Sequence, residues 1–299
     1  MTPINTRIAP SPTGYFHLGT ARTAYFNYLV AKATGGQFIL RIDDTDVDRN
    51  NSAYYDCIFD TFNWLDLKYD QLHYQSKRLD FYHSIADKLI AAGHASRLDD
   101  GAVKLKYPDQ MPNMWTDSIA GTMTISQNAR NIADGQIIMK SDGTPTYNFA
   151  SILDDVDLGV TQIIRGVDHI INTPRQIAVL VALDGILPVS NFIFTHIGLI
   201  HHRVGDKIVK MSKRDGAMGV IDYKNQNYAP DALLNYIMRM GWGHPDHLFD
   251  KKHKIIDRSQ AIDFILQGQF RSAPSTHDIK KLDNLNNIWQ KKLSRELLA

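Results

Sequence analysis

The sequence predicts an α/β fold built on a doubly wound parallel sheet, and three observations carry that expectation. Short apolar runs at residues 37–42, 136–140, 161–164 and 192–196 alternate with helical periodicities, the pattern of strands joined by crossover helices. The second of the predicted strands runs into Asp43-Asp44-Thr45-Asp46, and the carboxyl ends of strands are where open α/β sheets bind ligands. The stretch from Arg7 to Arg22 reads as a strand, a broken turn and the start of a helix.

That opening stretch organises the rest. Pro10, Pro12 and Gly14 cannot continue regular structure, so the chain turns there. Leu18, Ala21, Tyr25, Tyr28 and Leu29 then recur at helical spacing until Gly35-Gly36. A helix N-terminus offers unpaired N–H groups and partial positive charge, which suits phosphate. Gly19 allows a ligand close to the backbone there, and His17 can donate a hydrogen bond. An ordinary strand–turn–helix with a surface histidine fits the same residues, because neither a Walker A loop nor GxGxxG is present.

Further helices are expected at residues 52–65 and 78–92, the latter stopped by Gly93. From His94 to Gly135 short segments alternate with turns at Pro108, Pro112 and Gly121, which predicts a small β-rich insertion with its own surface. Thr173-Pro174 reads as an N-cap followed by proline in the first turn of a helix. Residues 199–209 read as a hairpin turning at Gly205-Asp206. It delivers Lys210-Met-Ser-Lys-Arg214, a basic loop suited to a polyphosphate under cleavage, although a plain loop accounts for the same residues. Beyond it the chain reads as helical, at 230–240, 259–266 and 276–298. The acidic run at 43–46 is compatible with a metal site, an amino-group site or an acidic helix start.

Composition narrows the classes. The chain has 299 residues, 43% hydrophobic and 22% charged, as in globular proteins. No apolar run reaches the ~20 residues of a membrane span, and the N-terminus lacks an apolar signal core, so cytoplasmic residence is expected, with no membrane partner. Cys57 is the only cysteine, which excludes an internal disulfide and a multi-cysteine zinc site. No metal-ligating residues are assigned. Net charge is +1, but basic residues concentrate after Lys251 in three groups, which a solvated helical face and a phosphate-contacting surface explain equally well. Glu296 is the sole glutamate against 31 aspartates, although aspartate is the poorer helix former.

Several of these segments together carry a resemblance. His17-x-Gly19 opening the first helix and Lys210-Met-Ser-Lys-Arg214 look like the two signature sequences of class I aminoacyl-tRNA synthetases. Arg7-Ile-Ala-Pro-Ser-Pro-Thr-Gly14, Arg41-Ile-Asp-Asp-Thr-Asp46 and Ser141-Asp-Gly-Thr-Pro-Thr-Tyr147 resemble the glutamyl branch, in order, from Arg7 to about Trp289. The resemblance implies a Rossmann-like catalytic domain at 1–93 and 136–215. It further implies a short acceptor-end-binding insertion at 94–135 and a helical stem-contact extension at 216–299. The implied reaction is glutamate–tRNA ligation through glutamyl-adenylate, with ATP and Mg2+, on a tRNA approached at its acceptor stem and inner corner. A monomer is expected.

The resemblance also assigns roles. His17, Lys210 and Lys213 are expected to be catalytic; His17, Gly19, Lys210, Ser212, Lys213 and Arg214 to bind ATP. Arg7, Ala9, Ser11, Asp43, Tyr147 and Arg165 are expected to bind L-glutamate, the arginines as carboxylate clamps. Asn148 and Ser151 lie near these positions.

The sequence also departs from the family's pattern. Asp43 stands where the family usually has glutamate, which shortens the reach to the substrate's amino group by roughly 1.5 Å. Two readings fit: weaker glutamate binding or a changed substrate, or a replacement of glutamate by aspartate throughout the chain, for which the hypothesis is that an enzyme making glutamyl-tRNA avoids needing its own product. Thr20 replaces the second histidine of many class I enzymes. The insertion is short and has no zinc ligands. The segment after Arg271 resembles the one that precedes an anticodon-binding region, and the chain stops at Ala299, so that region is expected to be absent. Alternatives are a glutamyl-queuosine tRNA synthetase, a glutamate-activating paralogue with another acceptor, and a non-catalytic tRNA-binding paralogue. The first typically has zinc-binding cysteines and a degenerate second signature; the intact His17, Lys210 and Lys213 argue against the last.

Overall fold

A computed structural model describes residues 2–189, 191–204, 207–210, 218–243 and 255–296. Strand β1 (Thr6–Ile8) passes through the turn into helix α1 (Leu18–Thr34), which returns the chain to β2 (Phe38–Ile42) parallel to β1. Helix α2 (Ser52–Trp64) makes the next crossover to β3 (Gln71–Tyr74), parallel to β2. All five residues of β2 are buried, as expected for a central parallel strand covered on both faces. Helix α1 stops at Gly35, whose φ of +70° forms a left-handed cap with its N–H directed at the last-turn carbonyls.

Helix α3 (Leu79–Ala91) leads to β4 (Ala95–Arg97) and β5 (Val103–Leu105), an antiparallel pair. The hairpin β6 (Met114–Asp117) and β7 (Gly121–Thr124), helix α4 (Gln127–Ala133) and strand β8 (Ile137–Met139) follow. Two placements differ from expectation. β8 pairs with β5 and not with the main sheet, and β6 pairs parallel to the main sheet's last core strand, so the inserted segment is partly continuous with the core. A three-residue apolar run fits either sheet, and only tertiary pairing decides.

Helix α5 (Tyr147–Asp157), strand β9 (Gln162–Gly166), helix α6 (Thr173–Ala182) and strand β10 (Ile193–Ile197) complete the second half, with β9 and β10 parallel. The amides of Thr161 and Gln162 donate to Asn5 O at 2.9 and 3.2 Å, which sets β9 alongside β1. The strand order is therefore β3-β2-β1-β9-β10-β6-β7, and the order reverses between β1 and β9. In a doubly wound sheet that reversal opens a crevice at the strands' carboxyl ends. Asn172, and not Thr173, precedes α6 as its cap, without a side-chain bond; Thr173 lies inside the helix and its hydroxyl serves elsewhere.

The hairpin β11 (Ile200–Val204) and β12 (Lys207–Lys210) is present, and its turn at 205–206 lies outside the described residues. Helices α7 (Val220–Asn225), α8 (Pro230–Met238), α9 (Arg258–Ile265) and α10 (Ile279–Glu296) form the C-terminal part. α1 is buried on nearly every side because the sheet covers one face and this helical part another; Phe26 packs on Phe270 with ring centres 5.0 Å apart. No helix of the described residues is long and apolar enough to cross a membrane.

Candidate active site

A cavity of about 470 Å³ opens at the switch point between β1 and β9. Seven of the residues singled out from the sequence line it: Arg7, Ala9, Ser11, His17, Gly19, Tyr147 and Arg165. Four others are placed only in part or not at all. Ser212, Lys213 and Arg214 lie outside the described residues, and Lys210 is described only by its backbone, at the end of β12.

His17 is the N-cap of α1. Its Nδ1 accepts from the backbone N–H of Gly19 at 3.1 Å and of Thr20 at 3.3 Å. An accepting Nδ1 carries no proton, so Nε2 carries it in the neutral ring and donates to Thr20 Oγ1 at 3.2 Å. Gly19 makes this fold-back possible: a Cβ there would stand 3.1 Å from both Cε1 and Nδ1 of His17. The ring, the helix N-terminus and Thr20 thus converge at one mouth of the cavity, a setting suited to phosphate oxygens.

Arg7 enters from the end of β1 and is buried. Its Nε and Nη2 donate to the two oxygens of Asp155 on α5, at 3.0 and 3.3 Å. Asp155 Oδ1 also accepts from Arg41 Nη1 at 2.7 Å. Arg41, fully buried on β2, holds Asp43 through Nε at 2.6 Å and Nη2 at 3.1 Å, and binds the Ser151 hydroxyl and carbonyl at 3.0 Å each. Burial opposes the charge on Arg41, but Asp43, Asp155 and Asp154 outweigh it and hold its pKa well above the ordinary value. Asp43 therefore spends both carboxylate oxygens on Arg41 and does not line the cavity. Asp44 is likewise engaged, accepting from the Ser76 amide and hydroxyl and from Tyr55. Among the described residues no group of three or more His, Cys, Asp or Glu is arranged to hold a metal ion.

Arg165, from the end of β9, is handled differently. Its Nε donates to His196 Nε2 at 3.0 Å and its Nη2 to Thr173 Oγ1 at 2.9 Å, and its buried Nη1 has no hydrogen-bond partner. Burial lowers its pKa to about 10, partly offset by the neighbouring Tyr147. His196, at the end of β10, presents Nδ1 to Asp117 Oδ2 at 2.7 Å. Burial holds the His196 ring below its ordinary pKa, so it is neutral near pH 7. Burial opposes the charge on Asp117, but bonds from His196 and from the amides of Ala120 and Ile119 hold it below the usual carboxylate range. His169 also lines the cavity, with Nδ1 3.1 Å from the Tyr147 hydroxyl; burial and Arg165 push its pKa down to about 4. His196, Asp117, Asp155 and His169 were not singled out from the sequence. A histidine closing an apolar strand at the sheet's carboxyl edge was the available signal for His196; Asp117 offered none.

The model of the family of class I tRNA synthetases (E and Q), catalytic domain, matches residues 3–102 and 96–284. The chain belongs to this family. A glutamate–tRNA ligase 2 of Neorickettsia sennetsu is 42% identical over 294 residues, covering 98% of this chain and 68% of that protein. A glutamate–tRNA ligase of Francisella philomiragia is 37% identical over 326 residues, covering 96% and 66%. The chain thus spans about two thirds of the length of these relatives. A glutamate tRNA ligase from Elizabethkingia meningosepticum, solved in complex with its amino acid, superposes with a TM-score of 0.82 at 24% identity, covering 98% of this chain and 71% of that one. That likeness establishes the fold: an α/β, Rossmann-like sheet with a helical C-terminal part.

Proposed function

We propose that the chain activates L-glutamate with ATP to glutamyl-adenylate and transfers the glutamyl group to the 3′ end of a tRNA. The observation that carries this reading is Arg165 Nη1, a buried donor without a partner in a cavity that Arg7 also lines. A buried unpaired guanidinium group calls for an anion, and a carboxylate matches its fork. The relatives of this chain bear the name glutamate–tRNA ligase, which supports glutamate as that anion.

A carboxylate oxygen of glutamate attacks the α-phosphorus of ATP, and the bond from that phosphorus to pyrophosphate breaks. A ribose hydroxyl of the tRNA's terminal adenosine then attacks the activated carbonyl and AMP leaves. No protein nucleophile is needed; positioning and charge stabilisation suffice. His17 Nε2–H and the first amides of α1 stabilise charge at the phosphates, and Lys210, Lys213 and Arg214 receive the pyrophosphate. Arg7, Ser11, Tyr147 and Arg165 hold the amino acid. Magnesium would accompany ATP and would neutralise charge on its phosphates. Residues 94–135 are assigned to the acceptor end of tRNA and the basic helices after residue 216 to its stem.

The test is ATP–pyrophosphate exchange with L-glutamate, with and without tRNA, followed by locating labelled glutamate on the tRNA. Exchange and an alkali-labile ester at the 3′ terminus are expected. Absence of exchange under both conditions overturns the reading, and label in the anticodon loop replaces ligation by tRNA modification.

A further inference from the structure

Arg7 and Arg165 line one cavity, yet their partners differ in charge. Arg7 has a carboxylate against two of its nitrogens, so its charge is largely spent inside the protein. Arg165 has the Thr173 hydroxyl, an imidazole lone pair and the neighbouring Tyr147 hydroxyl, none of them a carboxylate. We propose that Asp117 and His196 are positioning residues that hold Arg165 by an uncharged acceptor, keeping its positive charge available to the substrate's carboxylate. The inference rests on the glutamate-activating reading above.

The tautomer makes the device directional. Asp117 Oδ2 accepts from the main-chain N–H of His196 at 3.1 Å as well as facing Nδ1. Its Oδ1 accepts from the amides of Ile119 and Ala120, both at 2.9 Å. An acceptor with so many donors around it stays a carboxylate and obliges Nδ1 to carry the ring proton. The lone pair is then left on Nε2, where Arg165 Nε–H points. Trp115 packs edge-on against the His196 ring, centres 5.8 Å apart, and limits its rotation. With Nε and Nη2 committed, the guanidinium plane is fixed and Nη1 is the edge left over. A network built only for stability would pair that last buried donor or place a carboxylate beside it. Instead the hydrogen-bond acceptors of Arg165 are uncharged and its Nη1 is left over, which favours glutamate over glutamine.

Three variants test this in ATP–pyrophosphate exchange. His196→Ala is expected to raise the KM for glutamate at least tenfold and to shrink the preference for glutamate over glutamine, with the KM for ATP within twofold of wild type. His196→Gln, whose side-chain oxygen reaches the position of Nε2, is expected to restore most of the loss. Asp117→Asn releases the ring proton and is expected to fall between them. An unchanged glutamate KM in His196→Ala overturns the proposal, as does an equal rise for glutamate and ATP that His196→Gln does not reverse. Nitrogen-15 NMR of the imidazole in the wild-type chain keeps the test open if His196→Ala does not fold. A protonated Nδ1 with bare Nε2 is expected, shifting toward protonated Nε2 in Asp117→Asn. A wild-type ring protonated at Nε2 overturns the relay, whereas a wild-type chain inactive with glutamate defeats the proposed function and leaves the NMR result to decide the relay.

Discussion

Arg165 and His196 meet through one hydrogen bond, Nε to Nε2 at 3.0 Å, and the acceptor is neutral. The guanidinium that lines the cavity thus keeps its charge at a cost in burial, visible in a pKa lowered to about 10. Replacing it by lysine removes the planar fork and the Nε contact together. Arg165→Lys is expected to lower kcat/KM for glutamate by about 30-fold or more, corresponding to the ~2–5 kcal/mol of a truncated buried charge pair. Exchange kinetics at varied glutamate check this. An effect on ATP of equal size would assign Arg165 to the wrong substrate.

Asp155 is the hinge of the opposite side, bridging Arg7 and Arg41 from a fully buried position. Asp155→Asn takes from buried Arg7 its counter-charge and from Arg41 one of the carboxylates around it. Breaking such a pair costs about 3–5 kcal/mol, which in a chain of this size lowers the melting temperature by roughly 5–8 °C. Thermal denaturation followed by circular dichroism measures it. A shift under about 2 °C would mean that water or neighbouring dipoles compensate the arginines.

These two networks also mark how far the sequence could be read. The alternation of strands and helices was legible because each element carries its own periodicity and its own stops, as with Leu18 to Leu29 and the Gly35 cap. Arg7, Ala9, Ser11, His17, Gly19, Tyr147 and Arg165 were legible from motifs, and they do share one cavity. The His196–Asp117 contact was not, because it joins strand ends 79 residues apart and depends on β6 pairing with β10. Thr173 looked like a helix cap because Thr-Pro is good capping chemistry; the demand of Arg165 for an acceptor overrides that local preference. Asp43 matched a substrate position by register, but a neighbouring buried Arg41 claims it.

Gly19 is a second place where a local rule and the site coincide. A methyl group there would press on the His17 ring at 3.1 Å, tighter than ordinary contact, and push it off the amides it caps. Gly19→Ala is expected to raise the KM for ATP several-fold and to cost about 0.5–2 kcal/mol of stability, the usual range for a lost N-cap. Isothermal titration with a non-hydrolysable ATP analogue, beside a denaturant curve, separates the two effects. Unchanged ATP affinity would exclude the folded-back ring from phosphate binding.

His169 sets an acid limit on the site. Its ring is held neutral, with a pKa pushed from 6.5 down to about 4 by burial and by Arg165. Between those values the unfolded chain takes up a proton that the folded ring refuses, so stability is full above pH 6.5 and falls as pH drops toward 4. Protonation would also set an imidazolium beside Arg165 and break the acceptor role of Nδ1 toward Tyr147. His169→Gln removes this titration while keeping a polar side chain. Its stability is expected to decline less than that of wild type from pH 7 to pH 4.5. Urea midpoints at the two pH values check this, read as the difference between the two proteins so that other titrating groups cancel. Parallel declines would place the acid sensitivity elsewhere, with His196 and its lowered pKa the next group to test.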